Sequence, residues 1–191
     1  MPAFTLETMP IHNPNLYVVT GGPGSGKTTV LLELERRGFR FAPEVARQII
    51  QEQMLTGGQA LPWGDKALYA QVMLERSIAS YEENTPASQP MFTDRGIPDS
   101  LCAARLMGVT DEHALLAACA RYRYAPRVFL APPWEEIYIT DTERKQDFPE
   151  AERTFAKLSE VYEGCGYELI ELPKTTPAAR ADFMIAALQQ R

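Results

Sequence analysis

Nine residues at positions 21–29, GGPGSGKTT, come one residue after the apolar stretch Leu16, Tyr17, Val18, Val19. Few patterns restrict a fold so tightly. The spacing G-x-x-x-x-G-K-[ST], placed after an apolar run and before a helix-patterned one, demands a strand, a tight turn and a helix in succession. Gly21, Gly22, Pro23, Gly24, Ser25 and Gly26 curl the backbone so that several N–H groups face one concavity that fits a phosphate. The amino end of the following helix adds positive potential there. Lys27 can reach the β- and γ-phosphates, Thr28 offers a hydroxyl to Mg²⁺, and Thr29 completes the run. The expected ligand is a nucleoside triphosphate.

A chain of 191 residues fits one generously sized domain. Hydrophobic residues make up 45% of it, enough for a substantial core. A formal net charge of −6 argues against broad nucleic-acid binding. Cys102, Cys119 and Cys165 are widely spaced and odd in number, which fits reduced thiols in the cytoplasm better than a disulfide framework. With only His12 and His113 present, a Cys/His zinc site is not expected. The opening residues lack the basic and apolar regions of a secretory signal, and no apolar run approaches the roughly 20 residues that span a bilayer.

Short apolar runs alternate with helix-length segments. Strands are expected at 16–20, 39–42, 91–94, 127–130 and 167–172. Helices are expected at 27–37, 43–55, 65–83, 98–107, 111–122, 148–163 and from Pro177 onward. Residues 1–14 read as a loose lead-in, and Leu68, Val72, Ile78 and Ala79 as the apolar face of a long helix. Strands separated by helices make βαβ units, hence an α/β fold of three layers: a parallel sheet with helices on both faces. In such sheets ligands bind beyond the carboxyl ends of the strands.

Three groups of residues fall there besides the glycine-rich turn. Asp94 ends the strand MFTD and is placed to hold Mg²⁺ beside Thr28, directly or through water, or to take a proton. Arg95 follows it, and a guanidinium fork suits a transferred phosphoryl group or an anionic part of an acceptor. Glu44 and Arg47, in PEVAR, lie three apart at a helix start; Glu44 is a rival proton acceptor and Arg47 a contact to the acceptor. The charged segment TDTERKQDF precedes a helix and reads as part of a lid over about 132–150, with Arg144, and less so Lys145, closing over the phosphates. Arg121-Tyr122-Arg123-Tyr124 interleaves basic and aromatic residues but precedes a strand, at the pole away from the phosphate turn, and reads as a surface helix end. Pro173-Lys174-Thr175 follows the last strand, where a purine would lie. No N-K-x-D guanine-reading motif is present.

The succession TGGPGSGKTT, PEVARQII, FTDRGIPDS, VFLAPPWEE, TERKQDF and GYELIELP resembles a family of small P-loop proteins described as ATPases or kinases of AAA type. It is also similar to the ribosylnicotinamide kinase domain of bifunctional NAD-biosynthesis proteins, and more remotely to deoxynucleoside and thymidylate kinases. The likeness runs from about residue 16 to 188. It implies a P-loop NTPase fold with five parallel strands in the nucleoside-kinase arrangement, Mg²⁺ with ATP (or GTP), and a lid. It places Asp94-Arg95 at the D-R or E-R pair of such kinases, Glu44 near their base, and Arg144 in the lid, although an extended arginine-rich lid is not evident. The activity this implies is transfer of the γ-phosphoryl of ATP or GTP to a small hydroxylated, nucleoside-like acceptor. The competing reading is a nucleotide-dependent binding module that transfers phosphate to no small molecule.

Overall fold

In the computed structural model, residues 9–138 and 148–189 are described. The elements in chain order are β1 (Ile11–His12), β2 (Leu16–Gly21), α1 (Lys27–Arg36), β3 (Phe41–Ala42), α2 (Val45–Thr56), α3 (Lys66–Glu83), β4 (Met91–Asp94) and α4 (Ile97–Met107). After these come α5 (His113–Arg121), β5 (Tyr122–Arg123), β6 (Arg127–Ala131), a 3₁₀ turn at Glu135–Ile137, α6 (Phe148–Gly164), β7 (Glu168–Glu171) and α7 (Pro177–Gln189). Five strands form one sheet in the order β3-β4-β2-β6-β7, and every pairing is parallel. Among the described residues no helix is long and apolar enough to cross a membrane.

Side chains alternate across a strand, so each strand feeds both faces of the sheet. Leu16 and Val18 of β2, Met91 of β4 and Val128 and Leu130 of β6 point to one side. There they pack against Leu74 and Tyr81 of α3, Leu101 of α4, Leu115 of α5 and Leu158 and Tyr162 of α6. Val19, Phe92 and Phe129 point to the other, against Val30, Leu31 and Leu34 of α1 and Ala181 and Met184 of α7. Phe92 and Phe129 sit with ring centroids 6.2 Å apart and are fully buried. Cutting either back to alanine removes about 3–5 kcal/mol. This is the three-layer α/β arrangement expected from the sequence.

The ends of the elements show where local pattern yields to packing. β3 is only Phe41–Ala42 rather than four residues: it starts two residues later than expected and ends as expected before Pro43, which has no N–H to donate. Pro43 does not open α2 either. Glu44 is the extended N-cap residue, and the helix begins at Val45. α3 is capped by Asp65, whose carboxylate accepts from the Leu68 N–H at 3.0 Å. Its buried stripe is Tyr69, Ala70, Met73, Leu74, Ser77 and Tyr81, whereas Leu68 is 39% exposed, Val72 and Ile78 are half-buried and Ala79 is exposed. The expected apolar face is therefore rotated by about one residue. The lead-in is not wholly loose: Ile11–His12 pair in parallel with Tyr122–Arg123, and buried Asn13 donates to Asn84 O and Thr85 Oγ1 at 2.9 and 3.0 Å. The same pairing corrects the reading of residues 121–124 as a surface helix end, since Tyr122 and Tyr124 are buried.

Candidate functional site

The turn between β2 and α1 wraps closely around its own lysine. Gly21 has φ +145°, and a β-carbon there would lie 2.4 Å from the Ala131 carbonyl oxygen of neighbouring β6. Only glycine fits that approach. Gly26, at φ +81°, caps α1 in the left-handed region. Gly22 and Ser25 are buried, Pro23 and Gly24 half-buried, and the Ser25 hydroxyl donates to Gly22 O at 2.8 Å. Lys27 is 6% exposed and its Nζ donates to Gly21 O and Gly22 O, both at 2.9 Å. Burial, and next the Arg95 guanidinium, bring its ammonium down to about 8. Thr28 and Thr29 are exposed on the first turn of α1, with Thr29 Oγ1 donating to Gly26 O at 2.8 Å.

β4 lies beside β2 with Asp94 opposite Val19, so its carboxyl end comes level with the start of the turn. Asp94 is 5% exposed, and its Oδ1 is buried without a hydrogen-bond partner among the described residues. Burial pushes this carboxyl up, with Lys27 only partly offsetting it. Glu44 is held differently. Burial would raise it too, but Arg95 and then Lys27 outweigh that and keep it at about 2. Arg47 is half-buried and adds to the positive potential on Glu44.

Arg95 is the centre of the arrangement. It is the one non-glycine residue with positive φ among the described residues, at +74°. Its Nε donates to Glu44 Oε1 at 2.8 Å and its Nη1 to Asp99 Oδ1 at 3.0 Å. Despite burial, Glu44 and then Asp99 hold it firmly protonated.

Asp99 was not anticipated. It is 3% exposed and accepts from Thr20 Oγ1 at 2.6 Å, Tyr162 OH at 2.5 Å and the Gly96 N–H at 2.8 Å, besides Arg95. In sequence it reads as an ordinary acid in the first turn of α4, so only the DRGIPD spacing hints at it. Arg180 was missed as well. It lies in an alanine-rich helix, 2% exposed, and donates to Ser25 O at 2.8 Å and Pro173 O at 2.7 Å. Arg144 and Lys145 lie outside the described residues. Of the expected lid, Tyr138 packs its ring against Phe148 at 5.6 Å and lies over Gly24.

A narrow cleft opens beside Asp94 and Arg95, walled by Val45 and Ala46 of α2 and Met73 and Ser77 of α3. A larger concavity of about 210 Å³ lies at the amino ends of the strands, around Arg40, Asn84 and Met91, away from the glycine-rich turn. Among the described residues no group of three or more His, Cys, Asp or Glu is arranged to hold a metal ion. A Mg²⁺ carried chiefly by phosphate oxygens and water needs only one or two protein oxygens, which the unpartnered Asp94 oxygen and the exposed Thr28 hydroxyl can supply.

A parallel sheet ordered β3-β4-β2-β6-β7, with a phosphate-type turn after β2 and a D-R pair after β4, defines a P-loop protein of kinase-like fold. The chain belongs to a family of AAA domains, whose model matches residues 16–180. Among solved structures it is similar to the NadR protein in complex with NR, with TM-score 0.69 and 22% identity over 92% of this chain and 51% of that one. The chain thus spans about half the length of that protein. It is also similar to deoxyadenosine kinase from M. mycoides (TM-score 0.61, 13% identity, 92% of this chain and 100% of that one). A third similar structure is shikimate kinase from Acinetobacter baumannii (TM-score 0.53, 19% identity, 93% and 94%). At these identities the likeness shows the fold. No curated protein matches the chain.

Proposed function

We propose that the chain is a single-domain, Mg²⁺-dependent phosphotransferase that moves the γ-phosphoryl of ATP or GTP to a small hydroxylated, nucleoside-like acceptor. One observation carries this reading: a buried, unpartnered carboxylate oxygen on Asp94 lies at the mouth of the phosphate turn, beside an Arg95 already oriented by Glu44 and Asp99. An arginine immobilised by two carboxylates beside a cleft is more than holding nucleotide requires, and this favours transfer. The kinase-like fold supports the same reading, and the similar structures named for NR, deoxyadenosine and shikimate support a small acceptor with a hydroxyl.

Residues 21–29 cradle the triphosphate, and Lys27 exchanges its loop carbonyls for phosphate oxygens. Asp94 and Thr28 would hold Mg²⁺, which would supply positive charge to offset that of the phosphates. Arg95 stabilises the transferred phosphoryl, and Arg144 adds a second cation from the lid. Glu44 receives a hydrogen bond from the acceptor hydroxyl. In a loose transition state the hydroxyl proton leaves late, so Glu44 needs position more than basicity. Arg47 flanks the acceptor. Three free thiols and the acidic surface suit a cytoplasmic setting.

The test is ADP release with Mg·ATP and Mg·GTP across a panel of nucleosides, sugars and aminoglycosides. Turnover stimulated by one acceptor and lost in Asp94→Asn, with nucleotide binding retained by calorimetry, is the expected result. Hydrolysis that stays flat across the panel refutes the transferase and favours the nucleotide-dependent module.

A further inference from the structure

Arg180 is buried and charged, yet it faces neither the Asp94 cluster nor solvent. Its Nη1 and Nε are taken by the carbonyls of Ser25, in the phosphate turn, and Pro173, in the loop after β7. One guanidinium therefore ties together two loops that are 148 positions apart, and both lie at the carboxyl edge of the sheet where ligands bind. Its Nη2 is buried with no oxygen partner among the described residues. The Trp134 ring lies over this cation, with its centroid 5.1 Å from Cζ. A desolvated guanidinium gains substantially from an indole face, which takes the place of the missing acceptor.

Trp134 is itself an unusual choice for this position. It stands three residues beyond the buried end of β6, half-buried, with Nε1 donating to Glu136 Oε2. The segment that follows leans on the phosphate turn, since a β-carbon on Gly26 would meet Ile137 Cδ1 and Arg180 Nη1 at 3.1 Å each. An indole with one face on a fixed cation is a rigid aromatic plane beside the start of α1. A triphosphate seated in the turn must send its ribose and base outward past that point.

We propose that Trp134, backed by Arg180, is the stacking platform for the nucleobase of the bound triphosphate, with the loop at Pro173 as its neighbouring wall. Stacking uses the π-face that every base has, so this platform binds purines by area rather than by reading guanine. The proposal rests on residues 21–29 binding the triphosphate, and its test separates the two. In the Trp63→Phe background Trp134 is the remaining tryptophan, because the chain has two. Mg·ATP is expected to quench its fluorescence, and Mg·tripolyphosphate, which has no base, is expected to leave it unchanged.

By calorimetry, Trp134→Ala is expected to weaken ATP about tenfold to a hundredfold, and Trp134→Phe much less. Tripolyphosphate affinity should stay within about twofold in both, which a folding defect would not spare. Equal loss of both ligands, or no loss of ATP, overturns the platform. Failure of the unsubstituted protein to bind either ligand overturns the phosphate site and the platform with it.

Discussion

Replacing Asp99 by asparagine keeps the side-chain volume and removes the charge, so it asks what this buried carboxylate does. Four donors point at it: the Thr20 and Tyr162 hydroxyls, the Gly96 amide and the Arg95 guanidinium. An amide has one acceptor oxygen. The two hydroxyls can rotate to accept from its NH₂ group, but Gly96 N–H and Arg95 cannot. Since these two bind different oxygens of Asp99, either amide orientation leaves one of them facing a donor. A stranded buried donor costs about 1–3 kcal/mol, and the bonds that remain lose their charge assistance. Arg95 keeps Glu44, so the full 3–5 kcal/mol of a broken buried pair is not reached. The sum is about 3 kcal/mol. For a chain of this length that lowers the melting midpoint by roughly 6–12 °C. Circular dichroism melts of Asp99→Asn and its parent measure this directly, and urea midpoints at unchanged slope check it. Tyr162→Phe alone is expected to cost about 1 kcal/mol and to be non-additive with Asp99→Asn. If Asp99→Asn melts within about 1 °C of the parent, the four-donor account of this carboxylate is wrong.

Two further outcomes follow from the structure. Gly21→Ala places a β-carbon 2.4 Å from the Ala131 carbonyl, a backbone atom that cannot move aside. It should destabilise the fold by about 2 kcal/mol or more and abolish nucleotide binding, read by thermal melts and calorimetry. Cys165 has its thiol pulled down to about 7, chiefly by a hydrogen bond from Cys119, against the effect of burial. Iodoacetamide labelling followed by mass spectrometry should show Cys165 half-maximal near pH 7, shifting upward in Cys119→Ala, while Cys102, pushed up to about 12 by burial, stays inert. The folded value lies below the ordinary thiol value of 9.0, so this contact stabilises fully above about pH 9 and fades as pH falls through 7. A labelling rate that keeps rising tenfold per pH unit up to 9 refutes it.

The phosphate turn was legible because its geometry depends on nine contiguous residues, and backbone conformation there follows residue type. The alternation of strands and helices was legible for the same reason. What sequence could not give is carried by side chains meeting across long separations. Asp99 meets Thr20 across 79 positions, and Arg180 meets Ser25 across 155. Neither residue breaks a local rule: an acid in a first helical turn and an arginine within a helix are both unremarkable. The α3 stripe was misplaced because its buried face carries Tyr69, Ser77 and Tyr81, which hydropathy scores as weak, while Leu68 faces out. Glu44 was read as the first turn of a helix. In the structure it stays extended as the N-cap, and from there it reaches Arg95.

The backbone at Arg95 ties these observations together. A left-handed conformation costs an arginine about 1–2 kcal/mol, and a glycine would adopt it freely. Gly96, the very next residue, is extended instead. The strained position is held from several directions at once. The Arg95 N–H donates to Val19 O at 3.0 Å, its carbonyl accepts from Thr93 Oγ1 at 2.8 Å, and its guanidinium lies between Glu44 and Asp99. Exchanging the two residues would not relieve it, because a β-carbon on Gly96 would meet Tyr162 OH and Val18 Cγ2 at 3.1 Å and Tyr124 Cε2 at 3.2 Å. The present order leaves the guanidinium of residue 95 fixed at the strand tip next to an Asp94 whose oxygen is unpartnered. Two carboxylates are satisfied so that one cation is immobile, and a third is left unsatisfied one residue away. Under the proposed function, that division suits phosphoryl transfer: a cation that does not reorganise as charge develops, beside an acid with free coordination for a metal.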